Sequence, residues 1–366
     1  MKKMLICITS LTGGGAEKSL VNFIQQFKYK YDISLLVYSE KNNYYAQKLK
    51  DIKIDYFIKK DTPYFIEKLL NKVVKFFPRT LVYKFILNKT RFKKEKFDIE
   101  FAYIEGKPTK IISGSYNEDS LKLAYIHCDF SKNWYSRKSF RSIRDESVCY
   151  QKFHDILAVS LGQKESFEKI FPSCELDIVP NLIDQNEIER LSKESKVQKT
   201  FPYFCAVGRL AEVKNYSLLI NAFHQFRKKY PEFHLLILGE GELRQTLQNQ
   251  IEILGEQNYI QLVGFQSNPY SYIRQSKGLI QSSISESFSY VLAEASILGV
   301  PTISTRTQGS ELMMKYFDVI EVDHDSAALA KGMEFILQKE IVGKNTDFNE
   351  EAINKFEAIF SKIKEK

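Results

Sequence analysis

Three groups of residues have the types and spacing to do chemistry. The first is Gly13-Gly14-Gly15-Ala16-Glu17, which follows a short apolar run and precedes an amphipathic stretch from about Lys18 to Phe27. Glycines there let the backbone turn tightly and approach a ligand closely, while the helix start behind them offers unpaired N–H groups to an anion. This is not the dinucleotide fingerprint, because counting from Gly13 that pattern needs a third glycine where Lys18 stands. A tight strand-to-helix turn explains the loop equally well. The second group is Val207-Gly208-Arg209-Leu210 with Lys214 five residues beyond the arginine. A forked guanidinium and a point-charge ammonium at the carboxyl end of a strand suit the oxygens of a diphosphate. Two solvated surface cations are the plainer alternative. The third group is Ser285-Glu286-Ser287-Phe288-Ser289-Tyr290-Val291-Leu292-Ala293-Glu294-Ala295, followed by Leu298-Gly299-Val300-Pro301. Glu286 falls in the loop after a strand, Ser287 to Ser289 are predicted to open a helix, and Glu294 then lies roughly 12 Å further along. A carboxylate set among Val291, Leu292, Ala293, Ala295 and Ile297 calls for a partner.

These residues must be positioned by alternating strands and helices. The strands predicted in the first half are Met4–Thr9, Ile33–Tyr38, Ile99–Tyr103, Leu123–His127, Ile156–Ser160 and Asp177–Pro180. The second half restarts the rhythm with Tyr203–Val207, a helix from about Asn215 to Lys229, then Phe233–Leu238, Tyr259–Val263, Gly278–Gln281 and Pro301–Ser304. Such a pattern predicts two doubly wound α/β units. The 366 residues allow about two domains, and 44% hydrophobic against 27% charged residues excludes disordered and fibrous classes. The polar stretch 184–200, ending at Pro202, is the candidate boundary, which gives domains 1–184 and 185–346 and a closing helix, 347–366, able to pack on either. Five scattered cysteines without a CxxC pair read as reduced and cytosolic. No apolar run reaches the ~18 residues of a membrane-spanning helix, and the residues after Lys2 and Lys3 suit a first strand better than a signal peptide.

Taken in order, the glycine loop with Glu17, Val207-Gly208-Arg209 with Lys214, and the two glutamates Glu286 and Glu294 before a Gly-x-Pro turn resemble the family 4 retaining glycosyltransferases of the GT-B fold. Asn181-Leu182-Ile183-Asp184 resembles that family's run into its interdomain linker. The resemblance implies two Rossmann-like domains facing a cleft, with the donor on the second. By it, Arg209 and Lys214 bind the donor diphosphate, with Gly14 and Gly15 approaching from the first domain. Ser287, Phe288 and Ser289 offer their N–H groups, Glu294 receives the ribose hydroxyls, and Glu286 holds the transferred sugar. His127, in Tyr125-Ile126-His127-Cys128, matches the family's active-site histidine. Ser287 departs from the glycine common at that position. The resemblance implies a hexosyl or N-acetylhexosaminyl transfer from a nucleotide-diphosphate sugar, UDP favoured, to a lipid-linked saccharide in bacterial surface polysaccharide synthesis, capsule or exopolysaccharide. It implies neither a cofactor nor a metal, and Asp323-His324-Asp325 reads as a loop and helix cap instead of a metal motif. An epimerase of the same fold and a non-catalytic partner subunit are the alternative classes.

The net charge of +8 is concentrated. Between Lys59 and Phe97 stand twelve Lys and Arg against Asp61, Glu67 and Glu95. Phe65, Ile66, Leu69, Leu70, Val73, Val74 and Phe77 recur there at helical spacing, with Lys68, Lys72, Lys75 and Arg79 on another stripe. A basic amphipathic helix of this kind suits an anionic membrane surface, so the expected location is cytoplasmic and peripheral on the inner face of the plasma membrane. An ordinary domain helix with a solvated basic face is the alternative. Nucleic acid is not an expected partner, since no reader motif accompanies the charge.

Overall fold

Strands form where the sequence runs apolar on both faces, and a computed structural model describes residues 1–41, 43–194, 199–338 and 348–363. The chain divides into two units, Met1–Ile183 with Phe348–Lys366, and Asp184–Asp347. In the first, β1 (Lys2–Ile8), β2 (Tyr31–Ser39), β3 (Lys53–Ile58), β4 (Ile99–Ala102), β5 (Leu121–Ile126), β6 (Asp155–Ala158) and β7 (Leu176–Ile178) make one sheet in the order β3-β2-β1-β4-β5-β6-β7. Every pairing in it is parallel. Met4 to Ile8 of β1 are fully buried, as a central parallel strand covered on both faces requires. The helices that bear on the site are α1 (Gly15–Phe27), α2 (Tyr64–Phe76), α3 (Arg79–Asn88), α4 (Lys107–Ile112) and α5 (Ile143–Tyr150).

The edge strand β3 was not expected from sequence. Its Asp55 interrupts the apolar pattern, because that carboxylate serves outside the sheet, accepting from Lys59 Nζ and the Arg91 N–H at 2.8 Å each. The closing helix, Phe348–Ser361, packs on the first unit. Phe356 and Phe360 lie 5.0 and 6.2 Å from the ring of Phe23, and 5.8 and 5.5 Å from that of Phe27. The Asn349 side chain closes the joint by accepting from the Ile183 N–H at 2.9 Å and donating to its carbonyl at 2.7 Å.

In the second unit β8 (Tyr203–Val207), β9 (His234–Leu238), β10 (Ile260–Gly264), β11 (Gly278–Gln281), β12 (Thr302–Thr305) and β13 (Val319–Val322) are ordered β10-β9-β8-β11-β12-β13. The helices Tyr216–Arg227 and Ser326–Gln338 pack together over one face, burying Phe223, Phe226, Leu329 and Met333 against Phe204, Ile237 and Ile303. The division between the units falls at the start of the polar stretch, after Ile183, and Gln185–Glu194 within that stretch is a helix of this unit. Ile188 is buried and Leu191 half-buried, and Leu191 O and Ser192 Oγ accept from Asn268 (2.8 Å) and Arg274 (3.2 Å). Polar contacts thus do the work that apolar periodicity would have advertised; residues 195–198 of that stretch lie outside the described residues.

Because large buried aromatics typically cost about 3–5 kcal/mol on truncation, Phe356→Ala should lower the stability of the first unit by about that amount in urea unfolding. A loss below about 1 kcal/mol would show that the closing helix is not part of that core.

Candidate active site

Both sheets have the strand order in which the first strand is flanked by the second and the fourth, so each has a topological switch point at its carboxyl edge. In the second unit that point lies between β8 and β11, the strands that lead into Arg209 and Glu286. The turn after β8 is tightly specified. Leu238 O accepts from Gly208 N–H at 2.9 Å and Glu240 O from Leu210 N–H at 2.9 Å. A Cβ on Gly239 would stand 1.9 Å from Gly208 O, so only glycine lets these two loops touch. A Cβ on Gly208 would lie 3.2 Å from Lys214 Cε and 2.9 Å from the Tyr216 hydroxyl, which places the lysine chain along the Gly208 backbone.

Lys214 ends a short 3₁₀ turn, Glu212–Lys214, and its ammonium is paired with Glu286 Oε1. Both side chains are partly shielded, at 23% and 15% exposure. Ser283 Oγ also donates to Glu286 Oε1 at 2.7 Å, and Ser282 Oγ donates to the Lys214 carbonyl at 2.8 Å. The pair therefore has a fixed geometry. Arg209 is exposed, and among the described residues its guanidinium has no hydrogen-bond or ion-pair partner.

Behind Glu286 lies a buried polar network that the sequence analysis did not single out. Gln281 donates to Ser304 Oγ at 2.9 Å and accepts from Ser289 Oγ, while Thr305 Oγ1 donates to Ser283 O at 2.7 Å. Gly309 N–H donates to Glu286 O at 2.8 Å, and a Cβ on Gly309 would meet Glu286 Cβ at 2.9 Å. The signal was present as polar residues ending apolar strands: Gln281-Ser282-Ser283 and Ser304-Thr305. The helix predicted to open at Ser287 opens at Tyr290, and Ser287 to Ser289 form the loop leading into it. Ser289 turns its hydroxyl inward to Gln281 instead of capping, so the 12 Å helical spacing between the glutamates does not apply. Glu294, in the helix Tyr290–Ile297, is 2% exposed, and Phe288 packs 4.7 Å from Tyr290.

In the first unit the glycine loop runs from β1 to α1. Glu17 folds back over it, accepting from Thr12 Oγ1 at 2.8 Å, and a Cβ on Gly14 would stand 2.3 Å from Glu17 Oε2. Burial pushes that carboxyl above its usual range. Gly13 and Gly15 remain exposed and Gly14 is half-buried beneath the carboxylate. His127 follows β5, and the buried Glu105 accepts from the backbone N–H groups of His127 and Cys128 at 3.1 Å each, fixing the turn. The imidazole packs 4.4 Å from the Tyr125 ring and 5.6 Å from that of Tyr103. The residue is half-buried overall, yet its Nε2 is sealed from solvent and has no hydrogen-bond partner among the described residues. Burial pushes the imidazole down to about 3.

The basic segment differs from an ordinary domain helix in how it is attached. Of α2 only Val74 is buried, and the helix is fastened to the first unit mainly by polar groups. Glu67 pairs with Lys41, Asn71 Oδ1 accepts from Tyr38 Oη (2.9 Å) and Lys107 Nζ (2.7 Å), and the Lys75 carbonyl accepts from Lys110 Nζ at 2.7 Å. These positions share one helix face. Phe65, Leu69 and Phe76 are thereby left 71%, 60% and 54% exposed beside the exposed Lys68 and Lys72. The apolar stripe therefore faces outward for the most part. Lys75 is half-buried, and Arg79, which opens α3, has its Nε sealed from solvent. Among the described residues no helix is long and apolar enough to cross a membrane, and no group of three His, Cys, Asp or Glu is placed to hold a metal ion. Asp325 accepts from Ala328 N–H at 2.8 Å, capping the helix that follows.

Comparison with known proteins places these features in a class. The two units have the GT-B fold: Anabaena HepE in complex with UDP-glucose superposes with a TM-score of 0.71 at 17% identity, over 99% of this chain and 98% of that one. Residues 187–355, which include Arg209, Lys214, Glu286 and Glu294, match the family described as glycosyl transferases group 1. An uncharacterized glycosyltransferase of Methanocaldococcus jannaschii is 34% identical over 43% of this chain and 41% of its own length, so the chain spans under half of that relative. The N-acetylgalactosamine-N,N'-diacetylbacillosaminyl-diphospho-undecaprenol 4-alpha-N-acetylgalactosaminyltransferase of Campylobacter jejuni is 26% identical over 94% of this chain and 92% of its own. That family match spans most of the second unit.

A lowered histidine pKa means that the folded protein binds fewer protons than the unfolded chain between about pH 3 and the unperturbed 6.5, so His127 removes stability as pH falls through that window. Ring-nitrogen NMR shifts should show His127 neutral throughout pH 5 to 8. A titration centred near 6.5 would contradict its desolvation.

Proposed function

We propose that the protein is a retaining glycosyltransferase that moves a hexosyl or N-acetylhexosaminyl unit from a nucleotide-diphosphate sugar, UDP favoured, to a lipid-linked glycan of bacterial surface polysaccharide synthesis. The observation that carries this reading is the convergence of Lys214, Glu286 and the open Arg209 on the switch point of a group 1 glycosyltransferase domain. Breaking a sugar–phosphate bond builds positive character on the sugar and negative charge on the leaving diphosphate. Cations fixed at the phosphate therefore lower the barrier. Arg209 and Lys214 supply that charge and no metal is required. Glu286, held by Lys214 and Ser283, receives the sugar hydroxyls in this reading, and the buried Glu294 those of the ribose.

Retention is carried by the acceptor hydroxyl attacking from the face the phosphate leaves, with a phosphate oxygen taking its proton. His127 is read as the active-site histidine, and its neutral ring adds no charge beside the developing cation. Ser287, Phe288 and Ser289 offer backbone N–H groups to the phosphates. The lipid-linked acceptor is supported by the undecaprenol-linked substrate named for the Campylobacter relative, and the UDP donor by the UDP-glucose complex of Anabaena HepE. The outward apolar and cationic side of α2 suits peripheral contact with the inner face of the plasma membrane, with Phe65, Leu69, Lys68 and Lys72 leading and Lys75 and Arg79 set further in.

Hydrolysis and transfer assays across a panel of nucleotide sugars, with a lipid-linked saccharide as acceptor, test this reading. Arg209→Ala and Glu294→Ala should each lower transfer by roughly 100-fold or more while circular dichroism stays unchanged. Wild-type rates in both would remove the site from the donor.

A further inference from the structure

The membrane reading so far rests on one helix, yet a second cationic element stands beside it. Residues 131–144 contain Lys132, Arg137, Lys138, Arg141 and Arg144 and no Asp or Glu. All five are exposed, and Ile143 among them is 47% exposed. The short 3₁₀ turn within this loop, Tyr135–Ser139, packs against α2. A buried joint locks the two elements together: the fully buried Lys110 ammonium donates to the Lys75 carbonyl of α2 at 2.7 Å and to Asp145 Oδ2 of α5 at 2.9 Å. The nearest acid on the far side of the loop, Asp145, is thereby neutralised from within, and Arg141 adds a 3.7 Å contact to it. Among the described residues Lys138 and Arg144 have no ion-pair partner. Arg137 lies 5.4 Å over the Trp134 ring, which is half-buried against the core.

We propose that the 131–144 loop is a second contact with an anionic bilayer, so that the first unit rests on the membrane through two rigidly joined elements. This inference rests on the membrane reading of α2 and extends it. The two elements differ in chemistry: α2 offers Phe65, Leu69 and Phe76 to the acyl boundary, whereas the loop offers almost pure charge to the headgroups. Two separated footings restrict rotation about the α2 axis, which one amphipathic helix alone does not. An anionic bilayer is the occupant that accepts both an apolar row and an adjoining set of exposed cations. A nucleic acid would use the cations and leave the exposed phenylalanine and leucine without a partner.

The test is co-sedimentation of the full chain with phosphatidylcholine vesicles with and without phosphatidylglycerol. Three proteins are compared: wild type, an α2 variant (Phe65→Ser with Leu69→Ser), and a loop variant (Arg137→Gln, Lys138→Gln, Arg144→Gln). Each juxtamembrane cation contributes about fivefold in binding, so the loop variant should bind phosphatidylglycerol vesicles on the order of 100-fold more weakly than wild type. The difference should shrink at high salt. The α2 variant should lose binding as well. A loop variant that binds like wild type, while the α2 variant does not, overturns the second contact and leaves the α2 reading standing. Wild type that ignores phosphatidylglycerol vesicles, or binds polyuridylate instead, overturns both. Should the triple variant fold poorly, hydrogen exchange on wild type decides: vesicles should protect 131–144 as well as 64–76, and protection of 64–76 alone would overturn the proposal.

Discussion

The ion pair between Lys214 and Glu286 is the interaction on which the candidate site depends. It joins the loop after β8 to the loop after β11, strands that lie side by side only because the chain winds in opposite directions from β8. A lysine and a glutamate seventy-two residues apart in sequence are thus brought together by topology alone. Half-shielded charges of this kind are costly to leave alone, so each holds the other in place, and Ser283 and the Gly309 backbone brace the glutamate side. Arg209 is different. It has no internal partner among the described residues and is the cation left available to an incoming anion.

A related principle governs α2. Helices ordinarily attach by an apolar stripe, but this one attaches through Glu67, Asn71 and the Lys75 carbonyl, with Lys41, Tyr38, Lys107 and Lys110 as partners. Lys107, pushed down to about 8 by burial, is itself part of that seam. Satisfied polar pairs give the helix a definite position without consuming its apolar side. The side left over exposes Phe65, Leu69 and Phe76.

Much of this was legible from residue order. Tyr203–Val207 was expected as a strand with those limits and is one, and most strands fall within a few residues of their apolar runs. What was not legible had physical causes. The strand Lys53–Ile58 was hidden by an aspartate whose partners come from elsewhere in the chain. The helix Gln185–Glu194 was hidden inside the polar boundary stretch because side-chain hydrogen bonds support it beside the buried Ile188. The stripe from Phe65 to Phe77 was recognised as amphipathic, but which side meets the protein depends on partners at Lys41, Tyr38, Lys107 and Lys110, which no local pattern reveals. The candidate residues themselves were visible by type and spacing; the network of Gln281, Ser283, Ser304 and Thr305 behind them required the sheet to be seen assembled.

The central claim is that the switch point of the second unit holds a nucleoside diphosphate through its phosphates. Arg209→Met tests it most cleanly, because removing a cation without an internal partner leaves no orphaned charge behind. Calorimetric titration of wild type and variant with UDP and with uridine separates phosphate recognition from base recognition. The account predicts that UDP binds the variant roughly 10-fold or more weakly, as the loss of a charged hydrogen bond implies, while uridine binds both proteins alike. Equal UDP affinity in the two proteins would contradict it.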